Sequence, residues 1–272
     1  MFQHAPQLFD AIERRRSHRH YLPVSLNDEH AKSIQSFIDV LQDFPFSHSV
    51  KLSLHEAADN QNIVYFQGPK HFVSLITTDS LEAQAKLGFL GELIVLFAES
   101  LDIKTCWMGH YKKKIVQDIL IADGKNVENQ KLYCIITLGY IPEKTGLMDR
   151  FSMKRLSRKS KTVDDFLHTD SLKEFPQNIR AALEKASRAP SAMNSQKWYY
   201  LITEENSSYQ IELAKPPGYR HFKWSYYDID VGTAASHIWI GLQNCGINPN
   251  IEVIEESNRA IWKFHLDSRN PS

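Results

Sequence analysis

The chain has 272 residues, 42% of them apolar and 24% charged, which is enough for one large or two small globular domains and excludes a disordered chain. Its formal net charge is zero, so no global field draws it to nucleic acid or an anionic membrane, and the basic cluster at Arg14 to Arg19 needs a local explanation. Three cysteines in apolar surroundings (Cys106, Cys134, Cys245), twelve histidines without an HxxxH or HExxH pattern, no signal-peptide pattern at Met1 to Pro6 and no run of membrane-spanning length point to a reduced, cytoplasmic protein with no metal.

In chain order, Leu8, Phe9 and Ile12 form the apolar face of a short helix. Arg14-Arg15-Arg16-Ser17-His18-Arg19 follows, and four arginines with a serine in six residues suit a phosphate, because guanidinium forks match its oxygens. A lone run of this kind is commonly a solvated helix end. Tyr21 to Ser25 is a connection in which Tyr21 is read as packing. Asn27 or Asp28 caps a helix with Ala31, Ile34, Phe37, Ile38 and Leu41 on one face. Val50, Leu52 and Leu54 alternate as a strand, and a polar insertion at 57–62 leads to a second strand at 72–77. A long helix with Leu87, Leu90, Leu93, Ile94, Phe97 and Leu101 is apolar over most of its circumference, which predicts a central buried helix. A loop containing Trp107, Met108 and Gly109 comes next, then a helix from Lys112 to Ile121 and a buried strand at 132–140. The Gly/Pro/charge-rich stretch 141–161 reads as a linker.

The order then repeats. A helix over 176–188 carries Ile179, Ala182, Leu183 and Ala186 and must stop before Pro190. Strands are expected near 198–203 and 209–214, a long helix over 231–244, and strands near 251–254 and 260–266. Ser17 to Ser160 is 143 residues, Pro45 to Pro190 is 145 and Gly88 to Gly232 is 144, an agreement that implies tandem duplication. The second copy lacks a counterpart of helix 112–121, since Leu138 to Leu266 is only 128.

The stretch Ala189-Pro190-Ser191-Ala192-Met193-Asn194-Ser195-Gln196 links helix to strand. Its hydroxyls, carboxamides and main-chain N–H groups suit a flat polar ligand, although a plain capping turn is the competing reading. Trp224, Tyr226 and Tyr227 form an aromatic cluster read as packing or as a roof over such a ligand.

Taken together, these elements resemble the nitroreductase family of FMN-dependent oxidoreductases. Its Arg-x-Ser-x-Arg element is matched by Arg15, Ser17 and Arg19, and its Pro-Ser-x-x-Asn-x-Gln element by Pro190, Ser191, Asn194 and Gln196. Its Gly-Leu-Gly-x-x-Trp-x-Gly run is matched by Leu101 to Gly109, with Asp102 and Lys104 where glycines are usual. In ordinary members the first two elements lie about one helix apart, whereas more than 170 residues separate Ser17 from Ser191. Family members are intertwined homodimers in which the arginine element of one subunit meets the turn of the other on one flavin. Here copy one has the strong arginine element and a degenerate turn, Pro45-Phe46-Ser47-His48-Ser49. Copy two has the strong turn and a weak basic element, Arg158-Lys159-Ser160-Lys161.

The resemblance therefore implies an α+β fold of two tandem copies, 1–145 and 146–272, forming an intramolecular pseudo-dimer with mixed antiparallel sheets flanked by helices. It implies one composite FMN site per chain. Arg15, Arg16, Ser17 and Arg19 would hold the phosphate, helped by Arg158, Lys159 or Lys161. Pro190, Ser191, Ala192, Met193, Asn194 and Gln196 would line the pyrimidine edge, and Trp107, Met108 and Gly109 would cover the other face, although Trp107 and Met108 also suit a core. The protein supplies no nucleophile in this reading. NAD(P)H is the expected co-substrate, a small molecule such as a nitroaromatic or quinone the acceptor, and a monomer without nucleic-acid or membrane partners the working form. The alternatives are a flavin-binding protein with little turnover, acting as reservoir or sensor, and a structural remnant that binds nothing.

Overall fold

The computed structural model describes residues 2–44, 49–125, 130–143, 161–219 and 224–266. The degenerate turn at Pro45 to His48 and the basic residues Arg158, Lys159 and Ser160 lie outside them. The chain forms two compact units that exchange segments along the sequence: Arg14–Asp79 with Leu93–Arg158, and Met1–Glu13 with Ser80–Glu92 and Lys159–Ser272. The copies 1–145 and 146–272 are lengths of chain, whereas these units are bodies in space.

The first unit contains a four-stranded antiparallel sheet. Its strands are β1 (Val50–Glu56), β2 (His71–Thr77), β3 (Lys104–Met108) and β4 (Lys131–Gly139), in the order β1-β2-β4-β3. Every residue of β2 is buried, as a strand covered on both faces must be. On one face Phe72 and Ile76 join Val116, Ile119 and Leu120 of helix α4 (Lys113–Ala122) in one apolar cluster. Helix α2 (Asp28–Gln42) buries Ile34, Phe37, Ile38 and Leu41; its N-cap is Asn27, whose side chain accepts from the His30 N–H. Phe37 stacks on Phe97 of helix α3 (Leu81–Ser100), with centroids 4.0 Å apart. The expected Trp107 loop is instead largely strand: Trp107 pairs with Ile136 and Met108 with Ile135. The stretch is too short and too mixed in pattern to announce a strand, and it extends because β4 offers an open edge.

The second unit repeats that topology. Helix α5 (Gln177–Ala186) precedes β5 (Tyr199–Glu205) and β6 (Ser208–Ala214), and helix α6 (Tyr227–Asn244) precedes β7 (Asn250–Glu256) and β8 (Arg259–Leu266). The strand order is β5-β6-β8-β7, matching the first sheet. Where α4 links β3 to β4, a two-residue turn at Ser257-Asn258, both with positive φ, joins β7 to β8, so the second copy has no counterpart of α4. Helix α1 (Ala5–Arg14) belongs mostly to this unit. It buries Leu8 and Ile12, and Glu13 pairs with Lys185 at 2.8 Å and Arg188 at 3.0 Å. Helix α6 starts four residues earlier than expected, with Asp228 and Asp230 in its first turn.

The first part of α3 crosses α6 within this unit. A Cβ on Gly88 would lie 2.0 Å from the Ile229 carbonyl oxygen, and one on Gly232 would lie 2.0 Å from that of Ala85. The contact is self-complementary, because Gly88 and Gly232 are related by the same 144-residue offset as Ala85 and Ile229. These glycines matched between the copies because the helices meet where neither can carry a side chain. Gly232→Ala is expected to destabilise the protein by about 1–3 kcal/mol through overpacking. Gly124→Ala, at a position with nothing within 4 Å and a φ of 69°, is expected to cost roughly 1 kcal/mol. Thermal unfolding of both variants checks the order, and equal shifts would mean the crossing gives way freely.

Candidate functional site

The arginine element is laid along the outer edge of β3. Ser17 forms a parallel bridge with Thr105, and the His18 N–H donates to the Thr105 carbonyl at 3.0 Å. Three residues on, Tyr21 is fully buried, and its hydroxyl donates to Thr137 Oγ1 at 3.0 Å; the Thr137 hydroxyl in turn donates to the Cys106 carbonyl at 3.2 Å. The Leu22 N–H then donates to the Tyr140 carbonyl at 2.8 Å. The segment is thus pinned at both ends beside Cys106-Trp107-Met108. Arg15, Ser17 and Arg19 are half-buried, whereas Arg16 is exposed and folds back to donate to the Arg15 carbonyl at 2.7 Å. Met108 packs against the α4 cluster, Trp107 is half-buried, and Gly109 is exposed just past the strand. Asp102 adopts a left-handed φ of 61°, so this aspartate keeps a conformation that a glycine takes without cost.

In the second unit, the segment after Pro190 is a 3-10 turn at Ala192–Asn194 in which Met193, Asn194 and Gln196 have φ of 53°, 51° and 45°. Left-handed backbone costs about 1 kcal/mol or more at each such residue, so the surroundings must hold it. Four contacts do so. Ser191 Oγ accepts the Gln196 N–H at 2.8 Å, and Gln196 Nε2 donates to the Ser187 carbonyl at 2.5 Å. From α6, Asp230 Oδ1 accepts the Ala192 N–H at 3.1 Å, and the Thr233 hydroxyl lies 2.7 Å from the Pro190 carbonyl. Gln196, expected to face a ligand, therefore commits its side-chain amide to the end of α5. Lys161, expected at a phosphate, is brought to this turn: Nζ donates to the Gln196 carbonyl at 3.2 Å and lies over the Phe166 ring at 4.6 Å. Ser191, Ala192 and Asn194 are half-buried, and Met193 is 41% exposed. Tyr227 of the aromatic cluster is buried inside α6, and Trp224 packs edge-on to Tyr226.

Sequence reasoning missed Asp230, Thr233 and the pair Lys215–Asp228, which is almost wholly buried. Asp228 Oδ1 also accepts the Ala260 N–H at 2.8 Å, so this carboxylate joins α6 to β6 and β8. The available signal was two aspartates opening a helix whose remaining residues are all uncharged or histidine. The first unit also lines up Ser74, His55 and Asp123, with 2.9 Å from Ser74 Oγ to Nε2 and 2.5 Å from Nδ1 to Asp123. Ser74 is fully buried in the central strand, where no substrate reaches it, so the trio is a tie between α4 and the sheet; burial holds His55 below its usual pKa. Among the described residues no group of three or more His, Cys, Asp or Glu side chains is placed to hold a metal, and no helix is long and apolar enough to cross a membrane.

The model of the family described as "Putative TM nitroreductase" matches residues 7–242. The chain belongs to this family. A crystal structure described as a putative nitroreductase from Thermotoga maritima MSB8 is 21% identical, with a TM-score of 0.62 over 97% of this chain and 95% of that one. It shares the nitroreductase fold. A nitroreductase with bound FMN from Bacteroides fragilis NCTC 9343 is 16% identical, with a TM-score of 0.43 over 62% of this chain and 98% of that one. No curated protein matches the chain.

In this family member the start of α6 supports the turn, so its anchors can be tested directly. Lys215→Met leaves Asp228 as a buried carboxylate without its cation, and should cost about 3–5 kcal/mol. Denaturant unfolding measures it, and a loss under 1 kcal/mol would mean that Asp228 is neutral in the folded state.

Proposed function

We propose that the chain is an FMN-dependent oxidoreductase that takes a hydride from NAD(P)H and delivers it to a small acceptor such as a nitroaromatic or quinone, by a ping-pong scheme. Family membership and the placement of the arginine element support the reading. Arg15, Ser17 and Arg19 lie within five residues of a segment that Ser17 and His18 tie to Thr105 of β3, and two guanidinium groups with a hydroxyl are the chemistry that a phosphate needs. The turn fits the ring end of FMN: its backbone is strained, as at sites that hold a ligand.

In this reading Arg15, Ser17 and Arg19 neutralise and orient the phosphate. Ser191, Asn194 and the main chain of Ala192 and Met193 hydrogen-bond the pyrimidine edge, and Gln196 shapes the turn from within. Lys161 lends positive charge to that end. Trp107 and the main chain around Met108 and Gly109 shield the arginine end from water. FMN, when bound, supplies the hydride-accepting and hydride-donating centre; donors and a cation aimed at its pyrimidine end raise its potential. In this reading the protein is cytoplasmic and works as a monomer.

The absorption spectrum of the purified protein tests this, with an expected flavin-to-chain ratio near one. Arg15→Ala should lower FMN affinity by about tenfold or more, the worth of one charge-assisted bond, and Asn194→Ala by roughly two- to tenfold, the worth of a neutral one. Undiminished FMN content in both variants would overturn the site. Bound FMN that neither NADH nor NADPH reduces in stopped flow would favour a reservoir or sensor over an enzyme.

A further inference from the structure

The start of α6 does more than support the turn mechanically. Asp230 is 6% exposed, and its two oxygens have different fates. Oδ1 accepts the Ala192 N–H at 3.1 Å, while Oδ2 has no hydrogen-bond partner among the described residues. Ser195 Oγ and the Tyr227 hydroxyl are buried in the same region and lie close to each other. The Thr233 hydroxyl lies 2.7 Å from the Pro190 carbonyl and 2.8 Å from that of Asp230 itself. Both sides of Ser191 are therefore gripped from the first turns of one helix.

Among the described residues, the charged and titratable neighbours leave Asp230 without a cation. Asp228, on the same helix, is a like charge and holds Lys215 for itself. Tyr227 is neutral and packs edge-on to Tyr219, with centroids 4.9 Å apart, and Lys197 sits 5.7 Å from the Tyr219 ring. Lys161 reaches the turn but bonds to the Gln196 carbonyl. The Trp224 indole lies near enough to favour the ionised form slightly but misses hydrogen-bond geometry. A carboxylate with one N–H partner in such a site is costly, so the acid form prevails.

We propose that Asp230 is a positioning residue that latches the 190–196 turn in its protonated form, and that its ionisation loosens the turn and weakens ligand binding there. In the acid form the carbonyl oxygen accepts the Ala192 N–H and the proton sits on Oδ2. Burial, then the neighbouring Asp228, push this carboxyl up to about 8, against 3.8 for an ordinary aspartate. Between those two values the folded chain holds a proton that the unfolded chain has released. Stability attributable to this group is therefore complete below pH 3.8, declines as pH rises to about 8, and is level above. Asparagine keeps the carbonyl acceptor without the titration, whereas alanine removes the acceptor and strands the Ala192 N–H.

The binding readout rests on the FMN reading, so two measurements run side by side on the wild-type chain, Asp230→Asn and Asp230→Ala. FMN affinity is followed by fluorescence quenching from pH 6 to 9.5, and thermal unfolding over pH 4 to 9.5. The wild-type chain should lose affinity above pH 8, approaching tenfold per pH unit. Asp230→Asn should bind with little pH dependence relative to it, and Asp230→Ala more weakly at every pH. The melting temperature of Asp230→Asn should rise above that of the wild type as pH increases from 4 to 8, then keep a constant lead. Identical pH profiles for wild type and Asp230→Asn in binding, or alanine binding as well as asparagine, would overturn the latch and leave the FMN reading intact. Failure of every form to take up FMN would overturn that reading, and the unfolding curves would then decide the latch alone, with superimposed curves sinking it.

Discussion

Backbone contact between two helices demands that neither carry a side chain at the crossing, and α3 and α6 meet this demand at Gly88 and Gly232. A methyl group at either position would sit 2.0 Å from a carbonyl oxygen, so the crossing tolerates almost nothing but glycine. The closeness brings the apolar flanks of both helices into full burial: Phe89 stacks on Trp262 and packs against Trp239. It also places Glu92 3.0 Å from His237 in a fully buried pair. The His237 Nδ1 faces the Lys185 carbonyl at 3.0 Å and must donate to it, so the contact with Glu92 runs through Nε2 and joins α3, α5 and α6 through one imidazole.

That rigid helical support explains how a strained turn persists. Three left-handed residues close together in sequence would relax in an isolated peptide, but here α6 fixes Ala192 and Pro190, and Lys161 fixes the Gln196 carbonyl. The cost of strain and of a half-satisfied buried carboxyl falls in one place. Such concentrations of unfavourable energy belong to sites that bind or react, because folding alone would select a relaxed turn. The arginine element obeys the complementary logic. Its backbone is pinned to β3 on one side and, through Leu22, to Tyr140 on the other.

Much of this was legible beforehand. Helices with a buried stripe, such as α2 and α5, announce themselves through residues three and four apart, and the repeat emerged from glycines and prolines at matched offsets. The Trp107 strand did not, because five residues bound to a single neighbouring strand carry no periodicity of their own. Asp230 was equally hidden: an aspartate in the first turn of a helix reads as an ordinary favourable charge near the N-terminus. Only its burial under a turn 38 residues away turns it into an acid held neutral. The bond from the Gln196 carboxamide to the Ser187 carbonyl was likewise hidden, since a carboxamide's direction depends on which carbonyl lies within reach.

By itself the sequence determined the copy number, the type and order of nearly all elements, and the two stretches whose residue types suit a phosphate and a flat polar ring. These are properties of local pattern and of chemistry carried by side chains wherever they lie. The tertiary structure alone decided that α1 and the first part of α3 join the second copy in one compact body, that Lys161 serves the turn, and that one Asp230 oxygen accepts the Ala192 N–H while the other has no hydrogen-bond partner among the described residues. Those outcomes depend on which distant groups share a buried volume, and burial sets the energy of a charge or an unpaired polar atom far more strongly than its neighbours in sequence do.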